Sequence, residues 1–192
     1  MARPLEFDPD HALDAAIAVF SSHGYEGSST AELLNRMGIA RQSLYGAFGD
    51  KRRLFLKALE RYNADSIAEL IEALSSRSNT LEALEAALLA FARPGAHPES
   101  GCLGLGSIAE FGRADAEINL INDRSAETLL QAFAARIRHG VMAGELAAID
   151  ADEAARYLLT VRAGLKMAAR GGASFETLAA TARMALSGLG PA

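Results

Sequence analysis

Apolar residues recur every three to four positions through almost the whole chain, and no stretch alternates strictly between apolar and polar, so the pattern predicts an all-α protein of about nine helices. Asp8-Pro9 predicts the start of the first helix, an acidic cap followed by proline at a position where its missing amide costs nothing; Leu13, Ala16, Ile17 and Phe20 form its stripe, and Gly24 its end. Tyr25 is expected to pack back over that helix. Ser29 and Glu32 stand in capping-box spacing and open a second helix, whose Ala31, Leu33, Leu34 and Met37 can face a neighbour before Gly38 turns the chain. Ile39, Leu44 and Phe48 then continue the buried face of a third short helix, directing Arg41, Gln42, Ser43 and Tyr45 outward.

Two short helices joined at a glycine, with a polar outer face on the second, make a helix-turn-helix arrangement. Gly49-Asp50 stop the third helix and cap a fourth that can run without interruption to about Ser75. Thr80 is expected to cap helix five, with Leu81, Leu84, Leu88 and Phe91 on its stripe, and residues 93–101, with Pro94, Gly95, Pro98 and Gly101, read as a loop. Cys102 to Phe111 predicts a short buried helix, Asp115 the cap of a long seventh helix ending near Gly144, Asp150 with Glu153 a capping box for the eighth, and Ser174 the cap of the ninth, which carries Leu178, Met184 and Leu186.

Residues 38 to 55, Gly-Ile-Ala-Arg-Gln-Ser-Leu-Tyr-Gly-Ala-Phe-Gly-Asp-Lys-Arg-Arg-Leu-Phe, resemble the signature of the TetR family of bacterial transcriptional regulators. Leu44, Tyr45 and Phe48, then Asp50-Lys51 and Leu54-Phe55, fall in the family's order and spacing, and the close match spans roughly residues 8 to 57. The resemblance implies a helix-turn-helix DNA-binding domain over residues 1–50 and a helical ligand-binding and dimerisation domain over 51–192, bridged by helix four. It also implies a homodimer through helices eight and nine, binding double-stranded operator DNA and released by a small-molecule effector. Ala40 stands where many relatives place serine or threonine, and Gly46 where a larger polar side chain is common.

The 192 residues carry a net charge of −5, which by itself argues against nucleic acid; distribution reverses that, because Arg36 to Lys57 holds six basic residues against the single acid Asp50. Candidate DNA contacts are Arg41 and Gln42 for base edges, with Ser43 as a shorter contact, and Tyr45, Lys51, Ser29 and Thr30 for phosphate, the latter four from the resemblance. Candidate ligand-lining residues are Tyr62, Phe91, Cys102, Phe111, Asn119 and Met167. The single cysteine, Cys102, follows Gly101 at a helix start where a thiolate would be stabilised, which raises a redox- or electrophile-responsive regulator as an alternative. A helical protein-binding adaptor is the other.

No run approaches a membrane span or a signal peptide, so the expected compartment is the cytoplasm. An enzyme is disfavoured: His11, His23, His97 and His139 lack metal-ligand spacing, and no catalytic constellation shares one element, so neither metal nor cofactor is expected. Gly101-Cys-Leu-Gly-Leu-Gly106 follows no strand and lacks the lysine of a phosphate-binding loop.

Overall fold

The computed structural model describes residues 7–92 and 101–190; the loop expected over residues 93–101 lies, apart from Gly101, outside the described residues. Among these residues there are nine α-helices and no strand: α1 (Pro9–His23), α2 (Thr30–Met37), α3 (Arg41–Phe48), α4 (Lys51–Ser75), α5 (Thr80–Leu89), α6 (Leu103–Phe111), α7 (Ala116–Met142), α8 (Ala151–Arg170) and α9 (Phe175–Leu186). The class is all-α, as the periodicity predicts.

Several caps form as expected. Asp8 accepts from the Asp10 amide, Asp50 from Arg53, Asp115 from Glu117 and Ile118, Asp150 from Asp152 and Glu153, and Ser174 from Thr177, each satisfying amides that a starting helix leaves open. Others differ. Asn79, not Thr80, caps α5 through a 3.1 Å bond from the Glu82 amide, and Thr80 is fully buried one position later. The Ser29 box closes on one side only: Ser29 Oγ accepts from Glu32 at 3.1 Å, but the Glu32 carboxylate turns to His23 Nδ1, also 3.1 Å away. Ala31 is exposed, and the stripe of α1 is rotated so that Ala12, Ala16, Val19 and Phe20 are buried while Leu13 and Ile17 are partly covered. In α6 only Leu103 and Ser107 are buried, and Ile108 faces solvent.

The chain forms two compact units. The first comprises residues up to Asn63 together with Cys102–Asn122, the second Ala64–Gly101 and Asp123–Ala192, so α4 and α7 each contribute to both. The first core contains Leu33, Leu44, Phe48, Leu54, Leu59, Leu103 and Ile118 around an aromatic cluster. Phe20 meets Phe55 edge-on at 5.0 Å, and Phe55 also contacts Tyr25 at 5.1 Å and Phe111 at 5.9 Å. Tyr25 thus packs back on α1 as expected, by stacking on Phe20. Beside this cluster a buried polar chain links α4, α7 and α6: Asn63 Nδ2 donates to Asn122 Oδ1 (3.3 Å), Asn122 Nδ2 to Ser107 Oγ (2.9 Å), and Ser107 to the Gly104 carbonyl (2.8 Å). Each member has a partner, so the chain fixes register without stranding a polar group.

The second core is built from leucine and alanine, with Leu70, Leu84, Leu88, Ile137, Leu158, Leu165 and Leu186 around a single buried phenylalanine, Phe133. Gly140 lets α7 approach the start of α5: a Cβ there would lie 2.7 Å from Thr80 Cγ2. Arg136 donates to the carbonyls of Arg77 (3.2 Å) and Ser78 (2.6 Å), and the Glu145 carboxylate accepts from the Thr80 amide at 2.7 Å, which fastens the turn between α4 and α5.

Candidate nucleic-acid interface

The turn between α2 and α3 is set by Gly38, whose left-handed backbone (φ 66°, ψ 28°) ends α2 while its amide bonds to the carbonyls of Asn35 and Leu34. Ile39 adds a 3.2 Å bond to the Leu34 carbonyl and packs on the core, so α3 leaves the turn in one direction. Ala40 occupies the cap position of α3 with no side-chain bond, leaving the first amides of α3 open. Leu44 and Phe48 anchor α3 inward, Arg41 and Gln42 are exposed, Tyr45 is 53% exposed, and Ser43 is half-buried. Gly46 lies on the same outer side, with nothing within 4 Å of where a Cβ would stand.

The positioning candidates are placed around this helix in different states. Ser29 is exposed and Thr30 half-buried at the start of α2; because a hydroxyl both accepts and donates, Ser29 can hold its cap and still offer its proton outward. Lys51 Nζ lies 4.3 Å over the Tyr25 ring, an ammonium held near the first turn of α4 by an aromatic face. Burial raises the Tyr25 hydroxyl above its usual range, which keeps that ring neutral.

Not every cation of the basic cluster points outward. Arg52 is bound by Asp115 in a two-bond fork (2.7 and 3.1 Å) and by Glu117 at 2.6 Å, which tightens its hold on the proton. Conversely, the Arg52 guanidinium, followed by the Ile118 amide, holds the Asp115 carboxyl below the usual carboxylate range. Lys57 Nζ donates to the Ala47 carbonyl at 3.3 Å. Lys57 itself is exposed, as are Arg36, Arg41 and Arg53.

Two contacts that sequence reasoning missed support this surface. Glu110 of α6 accepts from the amides of Tyr25 (2.8 Å) and Glu26 (2.7 Å), holding the connection between α1 and α2 with one carboxylate. Asp115, read only as a helix cap, also clamps Arg52 at the start of α4. Neither pairing has a local signal, since 85 and 63 positions separate the partners.

The ligand candidates are distributed over both units. Tyr62, Cys102, Phe111 and Asn119 belong to the first, Phe91 and Met167 to the second. Phe111 is spent on the aromatic cluster, 5.8 Å from Tyr25. Met167 is 58% exposed on α8. Phe91 packs on the second core, and Lys166 Nζ stands 5.7 Å from its ring. Cys102 is half-buried at the cap position of α6. Among the described residues no group of His, Cys, Asp and Glu could hold a metal ion, and no helix is long and apolar enough to cross a membrane.

In the second unit α8 and α9 share an outward groove of about 350 Å³ lined by Tyr157, Val161, Gly164, Ala168, Thr181 and Met184, among others. Tyr157 and Met184 stand well exposed there. Small residues along both helices leave room for another helix to approach.

A reading helix with its polar face outward, a glycine-set turn and flanking cations define a helix-turn-helix DNA-binding transcriptional regulator. The profile of the bacterial regulatory proteins of the tetR family matches residues 12–58. The chain is 35% identical over 182 residues to the uncharacterized HTH-type transcriptional regulator YezE of Bacillus subtilis, covering 93% of this chain and 94% of the relative. It is 33% identical to the HTH-type transcriptional repressor BdcR of Escherichia coli, over 95% of this chain and 89% of that one. Among solved structures, a cysteine-substituted TetR-family regulator CifR in complex with 26-bp operator DNA superposes with a TM-score of 0.84 at 30% identity, covering 98% of this chain and 100% of that one. The chain belongs to the TetR family of transcriptional regulators, a family of regulators and not of enzymes.

Proposed function

We propose that this regulator is a cytoplasmic repressor that binds a (pseudo)palindromic operator as a homodimer and is released by a small-molecule effector. The observation that carries the reading is α3: Leu44 and Phe48 hold it to the core while Arg41, Gln42 and Tyr45 are presented together to solvent. Arginine pairs with guanine O6 and N7, glutamine with adenine N6 and N7, and Tyr45, Lys51, Ser29 and Thr30 supply donors for the backbone on either side. Repression is supported by the repressor BdcR, and operator binding by the CifR complex. The exposed apolar groove of α8 and α9 supports pairing of two chains there, and TetR regulators are dimers. Two heads then read half-sites about 34 to 36 Å apart.

Selection of bound duplexes from random DNA tests this reading. The expected product is an inverted repeat retarded in a gel with steep salt dependence. Recovery of no shared sequence, or binding by a monomer to a single half-site, would contradict it.

A second reading is favoured by one residue. Cys102 sits at the start of α6, its side chain making no cap bond, where free amides favour a thiolate. An oxidant- or electrophile-responsive regulator follows if mild peroxide modifies Cys102 in the native protein and releases the operator; an unmodified thiol removes this reading and leaves the first.

A further inference from the structure

Two adjacent cations at the start of α4 are held by partners of opposite kind. Arg52 is bound by the carboxylates of Asp115 and Glu117 at 2.6 to 3.1 Å, so its charge is already matched inside the protein. Lys51 is held by a ring, its Nζ 4.3 Å over the face of Tyr25. A carboxylate in that place would compete with phosphate for the ammonium. An aromatic face attracts the cation yet leaves it charged, and occupies at most one of its three N–H donors.

Tyr25 is in turn fixed from two directions by α6. The Glu110 carboxylate accepts from the Tyr25 amide at 2.8 Å and from the Glu26 amide at 2.7 Å, which sets the backbone. Phe111, 5.8 Å from the Tyr25 ring, sets its plane together with Phe20 and Phe55. Gly24 lets the carboxylate approach, since a Cβ there would lie 2.7 Å from Glu110 Oε2. A lysine free in solvent gives up its rotamer freedom when it meets a phosphate, whereas one already resting on a ring has given up much of it beforehand.

We propose that Tyr25 is a positioning residue for DNA-backbone binding, its ring preorganising Lys51 towards a phosphate, and that Glu110 acts through it by holding the Tyr25 backbone. This role rests on the operator reading above, in which Lys51 contacts phosphate.

Full-length protein carrying Tyr25→Leu, Tyr25→Phe or Glu110→Gln, each alone and combined with Lys51→Ala, is titrated with the selected operator and with a duplex of unrelated sequence, below the Tm of every variant. Tyr25→Leu should weaken both duplexes about two- to tenfold per head, the equivalent of ordering one long side chain, without changing which sequence is preferred. Tyr25→Phe keeps the face and should bind like the natural chain. Glu110→Gln turns a donor towards one of the two amides and should show a smaller loss in the same sense. None of the three should weaken binding further once Lys51 is replaced. In magnetic resonance spectra the ε-methylene protons of Lys51 should be shifted upfield by the ring in the natural chain and in Tyr25→Phe, and not in Tyr25→Leu.

A loss as large with Lys51→Ala present as without it makes Tyr25 a packing residue only and overturns the role. The lack of an upfield shift in the natural chain overturns it as well, whether or not Tyr25→Leu folds. If Lys51→Ala leaves the salt dependence of binding unchanged, the phosphate reading of Lys51 falls and this role falls with it; a flattened salt dependence without coupling to Tyr25 removes this role alone.

Discussion

The two units solve the problem of a small helical core in different ways. The first packs large rings against each other, Phe20, Tyr25, Phe55 and Phe111 making five ring contacts of 5.0 to 6.5 Å, and sends Arg36, Arg41 and Arg53 outward. The second packs leucine on alanine and keeps Arg162 and Lys166 inside. Interlocked aromatic rings allow few alternative arrangements, which suits a surface that must match fixed spacings on DNA. Small, smooth side chains allow helices to come close and to shift, which suits the ligand-binding and pairing roles proposed above for this unit.

The sharpest way to break this contrast is to remove a ring. Phe55→Ala should cost about 3 to 5 kcal/mol, because Phe55 touches three other aromatic residues, whereas Leu88→Ala should cost about 2 to 5 kcal/mol in the second unit. Amide hydrogen exchange should show the loss of protection from Phe55→Ala confined to residues 9–63 and 102–122; an equal loss in both units would mean that they open as one. Next in size, Arg41→Ala should cost about 1 to 3 kcal/mol of operator affinity and relax preference at one position per half-site. Lys51→Ala should weaken all duplexes alike and flatten the salt dependence, and a swap of these two signatures would exchange their roles.

Gly46→Ala tests how closely α3 lies on DNA. Added to an exposed helix position with open space around it, the methyl should stabilise the free protein by about 0.5 to 1 kcal/mol. Operator affinity should nevertheless fall; an unchanged affinity would put that side of the helix away from the groove. The smallest effect is lost in acid. Asp115 titrates below its usual value in the fold, so it contributes stability above about pH 4, its unfolded range, and that contribution disappears as pH falls through the lowered folded value. Asp115→Asn keeps the cap of α7 and removes the charge opposite Arg52, and should make the first unit less stable at neutral pH and less sensitive to acid than the natural chain.

What the sequence made legible follows from the range of each interaction. Helix periods, the Gly38 turn and most caps depend on residues within four positions, and they could be read directly. Thr80 misled because Asn79 offers an equally good cap one position earlier, and burial under Gly140 then uses the threonine for packing. Ala31 misled because a methyl group is indifferent to which side it faces. Arg52 counts among the six basic residues of the cluster, yet it is held by carboxylates more than sixty positions away. Phe111, chosen as an aromatic group on a body helix, has ring contacts with Tyr25 and Phe55, partners that lie more than fifty positions away. Arg162 and Lys166 show no sign of burial in their spacing, because a charge at helical period reads as a solvated face.

The return of α6 to the first unit carries a consequence for how the molecule is made. Leu103, Phe111 and Ile118, the Glu110 carboxylate and the Asn122 amide all belong to the unit that presents the reading helix. Ribosomes deliver the chain from its N-terminus at about 5–20 residues per second. The reading surface is complete in the polypeptide once residue 48 has emerged, but its scaffold waits for residue 122, several seconds later. A growing chain therefore holds an unfinished head for much of its synthesis, and completes it only as the second unit is already being added.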